Sequence, residues 1–141
     1  MIRRILTPTD GSPTAEAAIQ FAKDIALAEN AEVVVLGVIR TEGYGDIPGY
    51  DPLSGHEPAI QRIVGDEVED LAEAGVIARG EVVVGSEIAS TIIDQVQRQG
   101  ADLVVMGTHG HTGLARAIIG SVADRVVRHS DVPVLLVPLK S

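Results

Sequence analysis

Cysteine is missing from all 141 residues, which excludes a disulfide framework, a thiolate zinc knuckle and thiol catalysis, and fits a reducing compartment. Long apolar runs are missing as well. No stretch approaches the ~20 residues that a membrane-spanning helix needs. At the N-terminus, Pro8 and Asp10 follow Arg3 and Arg4 before a signal-peptide core can develop, so the expectation is a cytoplasmic protein with no membrane partner. Positive charge is scarce. Eleven Lys and Arg against twenty Asp and Glu leave a net −9, which repels a phosphate backbone and argues against nucleic-acid binding. Two phosphate-binding motifs are also lacking. No glycine loop ends in Gly-Lys-Ser/Thr, and the turn after the first expected strand holds one glycine, Gly11, too few for a dinucleotide fingerprint.

What is present reads as one globular domain over residues 1–141, with 45% hydrophobic and 22% charged residues. Near-continuous apolar runs recur at Ile2–Thr7, Val33–Ile39, Glu81–Val84, Leu103–Met106 and Val134–Val137. Runs of this kind suggest strands covered on both faces, as in a parallel sheet. Helical patterns lie between them. Ser12 can cap and Pro13 suits a first helical position, ahead of Ala15, Ala18, Ile19, Ala22, Ile25 and Ala26 at three-four spacing. Ile60, Ile63, Val64, Val68, Leu71 and Ala72 mark a second helix that Gly75 stops. A third begins at Ser86, carries Ile88, Ile92, Ile93 and Val96, and ends at Gly100; a fourth starts near Ser121 and runs through Val122, Val126 and Val127 until Pro133. The order βαβαβαβαβ, with right-handed crossovers, predicts an α/β fold: an open, twisted, Rossmann-like parallel sheet with helices on both faces. Arg40–His56 interrupts it with seventeen residues that hold four glycines, two prolines, Tyr44 and Tyr50. A loop of that length is either a functional flap or a mobile segment.

Ligands in such sheets lie beyond the carboxyl ends of the strands. Two strand ends stand out: Thr7-Pro8-Thr9-Asp10-Gly11-Ser12 after the first strand, and Gly107-Thr108-His109-Gly110-His111-Thr112-Gly113 after the fourth, followed by Gly120-Ser121. Gly107 and Gly110 allow positive φ and close backbone approach, and the helix start at Gly120-Ser121 favours negative charge. From Leu103 to Ser130 three arginines face one aspartate, a formal +2 that leaves −11 for the rest. An anion fits this stretch best, although three arginines on one helix also suit a solvated face. Ser121-Val122-Ala123-Asp124 could equally be a capping-box variant, and Asp10 either bonds locally or meets a ribose or base amine. His109 can donate to a phosphate, whereas His56 and His129 read as surface residues. With no third ligand of matching spacing beside His109 and His111, no protein-ligated metal is expected. A divalent ion carried by phosphate oxygens needs few protein ligands.

Gly107-x2-Gly110-x9-Gly120-Ser121, directly after Asp102-Leu103-Val104-Val105-Met106, resembles the ATP-binding signature of the universal stress protein family. Ile5–Ser12 and Ser130–Val137 resemble two further landmarks of that family, and the similarity covers the chain outside Arg40–His56. The resemblance implies strand order 3-2-1-4-5 and membership of the ATP-binding subgroup. It implies Pro8, Thr9 and Asp10 along the nucleoside, Val38 backbone at the adenine and Met106 with Gly107 near the ribose. His109, Gly110, Gly120, Ser121 and Val122 then contact the phosphates, which carry Mg or Mn. It further implies a homodimer through the last strand, Val134–Val137, acting as a regulatory module of the stress response with a protein partner of unknown identity. Two other functions compete: slow ATP hydrolysis or self-phosphorylation on the Gly-rich loop, and a structural dimerisation module whose glycines are only turns. No evident base or Arg-Lys clamp for a γ-phosphate is present, which favours binding over turnover.

Overall fold

The computed structural model describes residues 1–40, 57–108 and 120–138. Most of the 40–56 loop, with Tyr44, Tyr50 and His56, lies outside the described residues, as do His109, Gly110, His111, Thr112, Gly113 and Arg116. In chain order the elements are β1 (Arg4–Thr9), α1 (Pro13–Glu29), β2 (Glu32–Arg40), α2 (Glu57–Glu73), β3 (Ala78–Gly85), α3 (Ile88–Gln99), β4 (Leu103–Gly107), α4 (Ser121–His129) and β5 (Val134–Val137). The five strands form one sheet in the order β3-β2-β1-β4-β5, and every pairing is parallel.

Strand alternation explains the unbroken apolar runs. Ile5, Val33, Val35, Leu103 and Val105 face one layer, where they pack with Ala18, Ile19 and Ala22 of α1 and with Val64 and Leu71 of α2. Their neighbours Leu6, Val34, Leu36, Val104 and Met106 face the other, against Ala89, Ile92 and Val96 of α3 and Ala123 and Val126 of α4. Both faces of β1, β2 and β4 are therefore covered, and each strand can be apolar throughout. The expectation of two-sided cover fails at the sheet's ends. Edge strand β3 is intermediate to exposed along its length, with Val84 49% exposed, and Leu135 of β5 is exposed as well.

Local chemistry sets the helix ends. Ser12 caps α1, its side chain accepting the Ala15 N–H at 3.3 Å, with Pro13 in the first turn; Asn30 closes α1 in the left-handed region at φ 56°. The third helix starts at Ile88, two residues later than Ser86: Glu87 is the N-cap of α3 and makes no side-chain capping bond. In α4, Val126 is buried, whereas Val127 is 46% exposed and does not join the core.

One irregularity shapes the crevice. β1 reaches Thr9 rather than ending at Thr7 and pairs with β2 along its whole length, from Arg4↔Glu32 to Thr9↔Gly37. Its pairing with β4 covers only Ile5↔Leu103 and Leu6↔Val104, although β4 continues to Gly107. Pro8 has no N–H for a ladder bond, and beyond Leu6 the two strands are not bridged. This is also where the strand order reverses, β1 having β2 on one side and β4 on the other.

Candidate functional site

A cavity of about 410 Å³ opens at that split, within the usual range for small-molecule sites. The β1 tip contributes Pro8, Thr9 and Asp10, followed by Ser12 and Ala15 at the start of α1. Leu36 and Val38 of β2 and Ile88 and Ile92 of α3 form an apolar side. Met106, Gly107 and Thr108 come from the β4 tip, and Gly120, Ser121, Val122 and Ala123 from the start of α4. Of the residues expected from sequence, Pro8, Thr9, Asp10, Val38, Met106, Gly107, Gly120, Ser121 and Val122 thus line one cavity, while His109 and Gly110 lie outside the described residues.

Three helix starts border this cavity; that of α3, at Ile88, has no side-chain cap from Glu87, and those of α1 and α4 differ. Ser12 satisfies part of the first turn of α1, but the N-cap of α4 is Gly120, which has no side chain to cap with. Ser121 is therefore the first helical residue rather than the cap. The first amides of a helix have no intrahelical acceptor, and the macrodipole gives that end roughly half a positive charge. Hydrogen bonds hold this end against the β4 tip: Gly120 N–H donates to the Thr108 carbonyl at 2.8 Å, and Thr108 N–H to the Val137 carbonyl at 3.2 Å. An anion at this end of the cavity would meet backbone donors on a fixed frame.

Gly107 has a different reason from the one its motif suggests. Its φ is not in the left-handed region. A Cβ there would lie 2.9 Å from the carbonyl carbon and oxygen of Thr14, so glycine is needed for β4 to pass the first turn of α1. The arginines behave differently too. Arg125 pairs with Glu87 at 2.8 Å and Arg128 with Asp124 at 3.1 Å. The charge of these two is engaged in ion pairs, and among the described residues the α4 terminus adds a positive end at the cavity. His129 is exposed, as its surface reading anticipates. Among the described residues no group of three or more His, Asp or Glu is arranged to hold a metal ion, and no helix is long and apolar enough to cross a membrane.

Asp10 makes the local bond that sequence allows, its Oδ1 accepting the Ser12 N–H at 2.9 Å, and the residue also lines the cavity. Behind the same turn is a residue the motif search passes over. Thr9 Oγ1 donates to Glu67 Oε1 of α2 at 3.0 Å. Burial pushes the Glu67 carboxyl from 4.5 up to about 7; the Thr9 bond opposes this, while the charges of Glu16, Asp10 and Asp70 add to it. Glu67 had a legible signal. It falls on the apolar stripe of α2, three residues after Val64 and four before Leu71, where an acid is out of pattern. Ile88 and Ile92 were legible only as core positions, and α3 brings both to the cavity wall.

Known proteins share this architecture. A sequence model of the universal stress protein family matches residues 1–138. Universal stress protein MJ0531 of Methanocaldococcus jannaschii is 34% identical over 97% of this chain and 82% of its own length. The solved structure of MJ0577 from the same organism superposes with a TM-score of 0.83 at 30% identity, covering 100% of this chain and 99% of that one. A universal stress protein solved in complex with cAMP gives a TM-score of 0.77 at 25% identity, covering 99% of each chain.

Proposed function

The chain belongs to the universal stress protein family, and from that premise we propose that it is a regulatory module that binds an adenine nucleotide, ATP first among them, in the cavity between β1 and β4. The observation that carries the proposal is the polarity of that cavity. One side is aliphatic, from Leu36, Val38, Ile88 and Ile92, and the other ends on the uncapped start of α4 at Gly120 and Ser121. A nucleotide has the same division: a flat, weakly solvated base at one end and phosphates at the other. The relative that holds cAMP supports an adenine nucleotide as the ligand class.

In this reading the base lies against Val38 and Ile88, where β2 backbone groups can read its edge. The ribose meets Asp10 and the β4 tip at Met106 and Gly107, and the phosphates pack on Gly120 and meet the amides of Ser121 and Val122, with His109 and Gly110 alongside. Asp10 accepts hydrogen bonds from the ribose while its Oδ1 steadies the turn. Mg or Mn travels on the phosphate oxygens and neutralises part of their charge. The protein works in the cytoplasm as a homodimer, through Val134–Val137, in signalling the stress response. Its output is a bound state read by a partner. The test is direct: denature the purified protein and identify by chromatography what it releases. Stoichiometric ATP or another adenine nucleotide is expected, and a ligand-free protein that also fails to bind added Mg·ATP would refute the assignment.

A further inference from the structure

The turn from Thr9 to Ser12 has two sides. Thr9, Asp10 and Ser12 form part of the cavity wall, and the back of the turn rests on α2. Thr9 Oγ1 is the junction, accepting the Gly11 N–H at 3.1 Å and donating to Glu67 Oε1 at 3.0 Å. A second contact lies one helical turn earlier. Gly11 has φ +79°, and a Cβ on it would come within 2.8 Å of Ile63 Cδ1, so α2 presses directly on the turn. The other oxygen of Glu67, Oε2, is buried with no hydrogen-bond partner among the described residues.

We propose that Glu67 is a positioning residue for the nucleotide-facing turn, and that its protonation state sets how tightly the cavity holds an anionic adenine nucleotide. This rests on the nucleotide reading of the cavity and deepens it. The groups around Glu67 decide the sign. Asp10 faces it from the turn, Glu16 from α1 and Asp70 from its own helix. Lys23 of α1 lines the same α1–α2 groove, its Nζ donating to Gln20 Oε1 at 2.8 Å. β2 and β3 meet α2 through Gly37, Gly80 and Val82, which carry no charge.

An ionised Glu67 thus adds a fourth negative charge to three, directly behind the turn that meets the ribose, where it repels Asp10 and, at longer range, the ligand's phosphates. Neutral Glu67 still offers Thr9 an oxygen and removes that repulsion. Bound nucleotide raises the proton affinity of Glu67, and by linkage a proton taken from solvent strengthens nucleotide binding. Glu67 titrates near pH 7, so the effect falls in the physiological range.

Calorimetric titration with Mg·ATP at pH 6, 7 and 8, in buffers of different ionisation enthalpy, tests this on wild type and Glu67→Gln. The titration of the ATP γ-phosphate is common to both proteins and cancels in the comparison. The expected result is a wild-type affinity that falls about fivefold more than the variant's between pH 6 and pH 8, with extra proton uptake by wild type at pH 7. Parallel profiles and equal proton uptake would overturn the proposal. A ligand-free readout separates this from the nucleotide assignment. In amide NMR spectra, Thr9 and Gly11 of wild type should titrate with a midpoint near pH 7 and stay still in Glu67→Gln. A turn that does not titrate in wild type overturns the positioning role whether or not ATP binds. A titrating turn in a protein that binds no ATP supports that role and rejects the nucleotide reading. Should Glu67→Gln fail to fold, Thr9→Val cuts the same link, and its Gly11 amide should lose the pH response.

Discussion

At the scale of single residues, glycine and aspartate at the strand tips carry different burdens. A Cβ on Gly107 would lie 2.9 Å from the Thr14 backbone, a neighbour that cannot rotate away as a side chain could. Gly107→Ala should therefore cost about 1–3 kcal/mol through overpacking and lower Tm in thermal unfolding by several degrees; an unchanged Tm would show that α1 can shift freely. Asp10→Asn keeps an oxygen for the Ser12 N–H and removes only the charge. It should leave Tm within about 2 °C and weaken ATP binding roughly tenfold, since hydrogen bonds to charged groups contribute about 1.5–3 kcal/mol; unchanged affinity in a calorimetric titration would exclude a ribose contact. Sequence pointed to both residues, but for Gly107 it offered a positive φ that the structure does not have and left out the helix beside it. A glycine in a motif looks the same whether a ligand or a neighbouring helix needs the space, and only the position of Thr14 distinguishes them.

At the scale of elements, α2 holds an acid where its packing face is otherwise aliphatic. Because the carboxyl of Glu67 titrates higher in the folded protein, near 7, than its ordinary 4.5, the folded state binds the proton more tightly than the unfolded chain. Stability from this group is full below pH 4.5 and falls as pH rises towards 7. Glu67→Gln should thus match wild type at pH 5 and exceed it at pH 8 by about 1–2 kcal/mol, a figure reduced for partial solvent screening. Denaturant midpoints at the two pH values check this, and an equal difference at both would remove the titration argument. The elements themselves were largely legible. Unbroken apolar strands and alanine-rich α1 are consequences of burial on two faces and of close helix–sheet packing, and both are written in residue type. Edge exposure was not legible, because Val82, Val83 and Val84 have the same composition as central β2 and only the strand order leaves β3 outermost. The start of α4 was legible at Gly120-Ser121, but its cap was not: Ser121 is a good cap by type, and Gly120 already occupies the cap geometry at φ −60° and ψ 153°.

At the scale of the whole molecule, the sheet ends on one side at β5, whose outer edge has no strand beside it among the described residues and whose Leu135 is 36% exposed. An apolar edge of that kind is a hazard unless covered, and a second copy would cover it. Leu135→Lys should convert a dimer to a monomer in sedimentation velocity without altering the fold, and a wild-type protein that sediments as a monomer at high concentration would remove β5 as an interface. Ligand and fold are linked as well. ATP at a hundred times its Kd should stabilise the protein by about 2.7 kcal/mol. Strand order, the split beyond Leu6 and the bare helix start converge on a single hollow, and the account depends on what enters it. A crystal structure grown in excess Mg·ATP tests that most directly. The base should pack on Val38 and Ile88 with phosphates at the Ser121 and Val122 amides; a hollow filled by water or protein atoms, with nucleotide elsewhere or absent, would contradict the assignment.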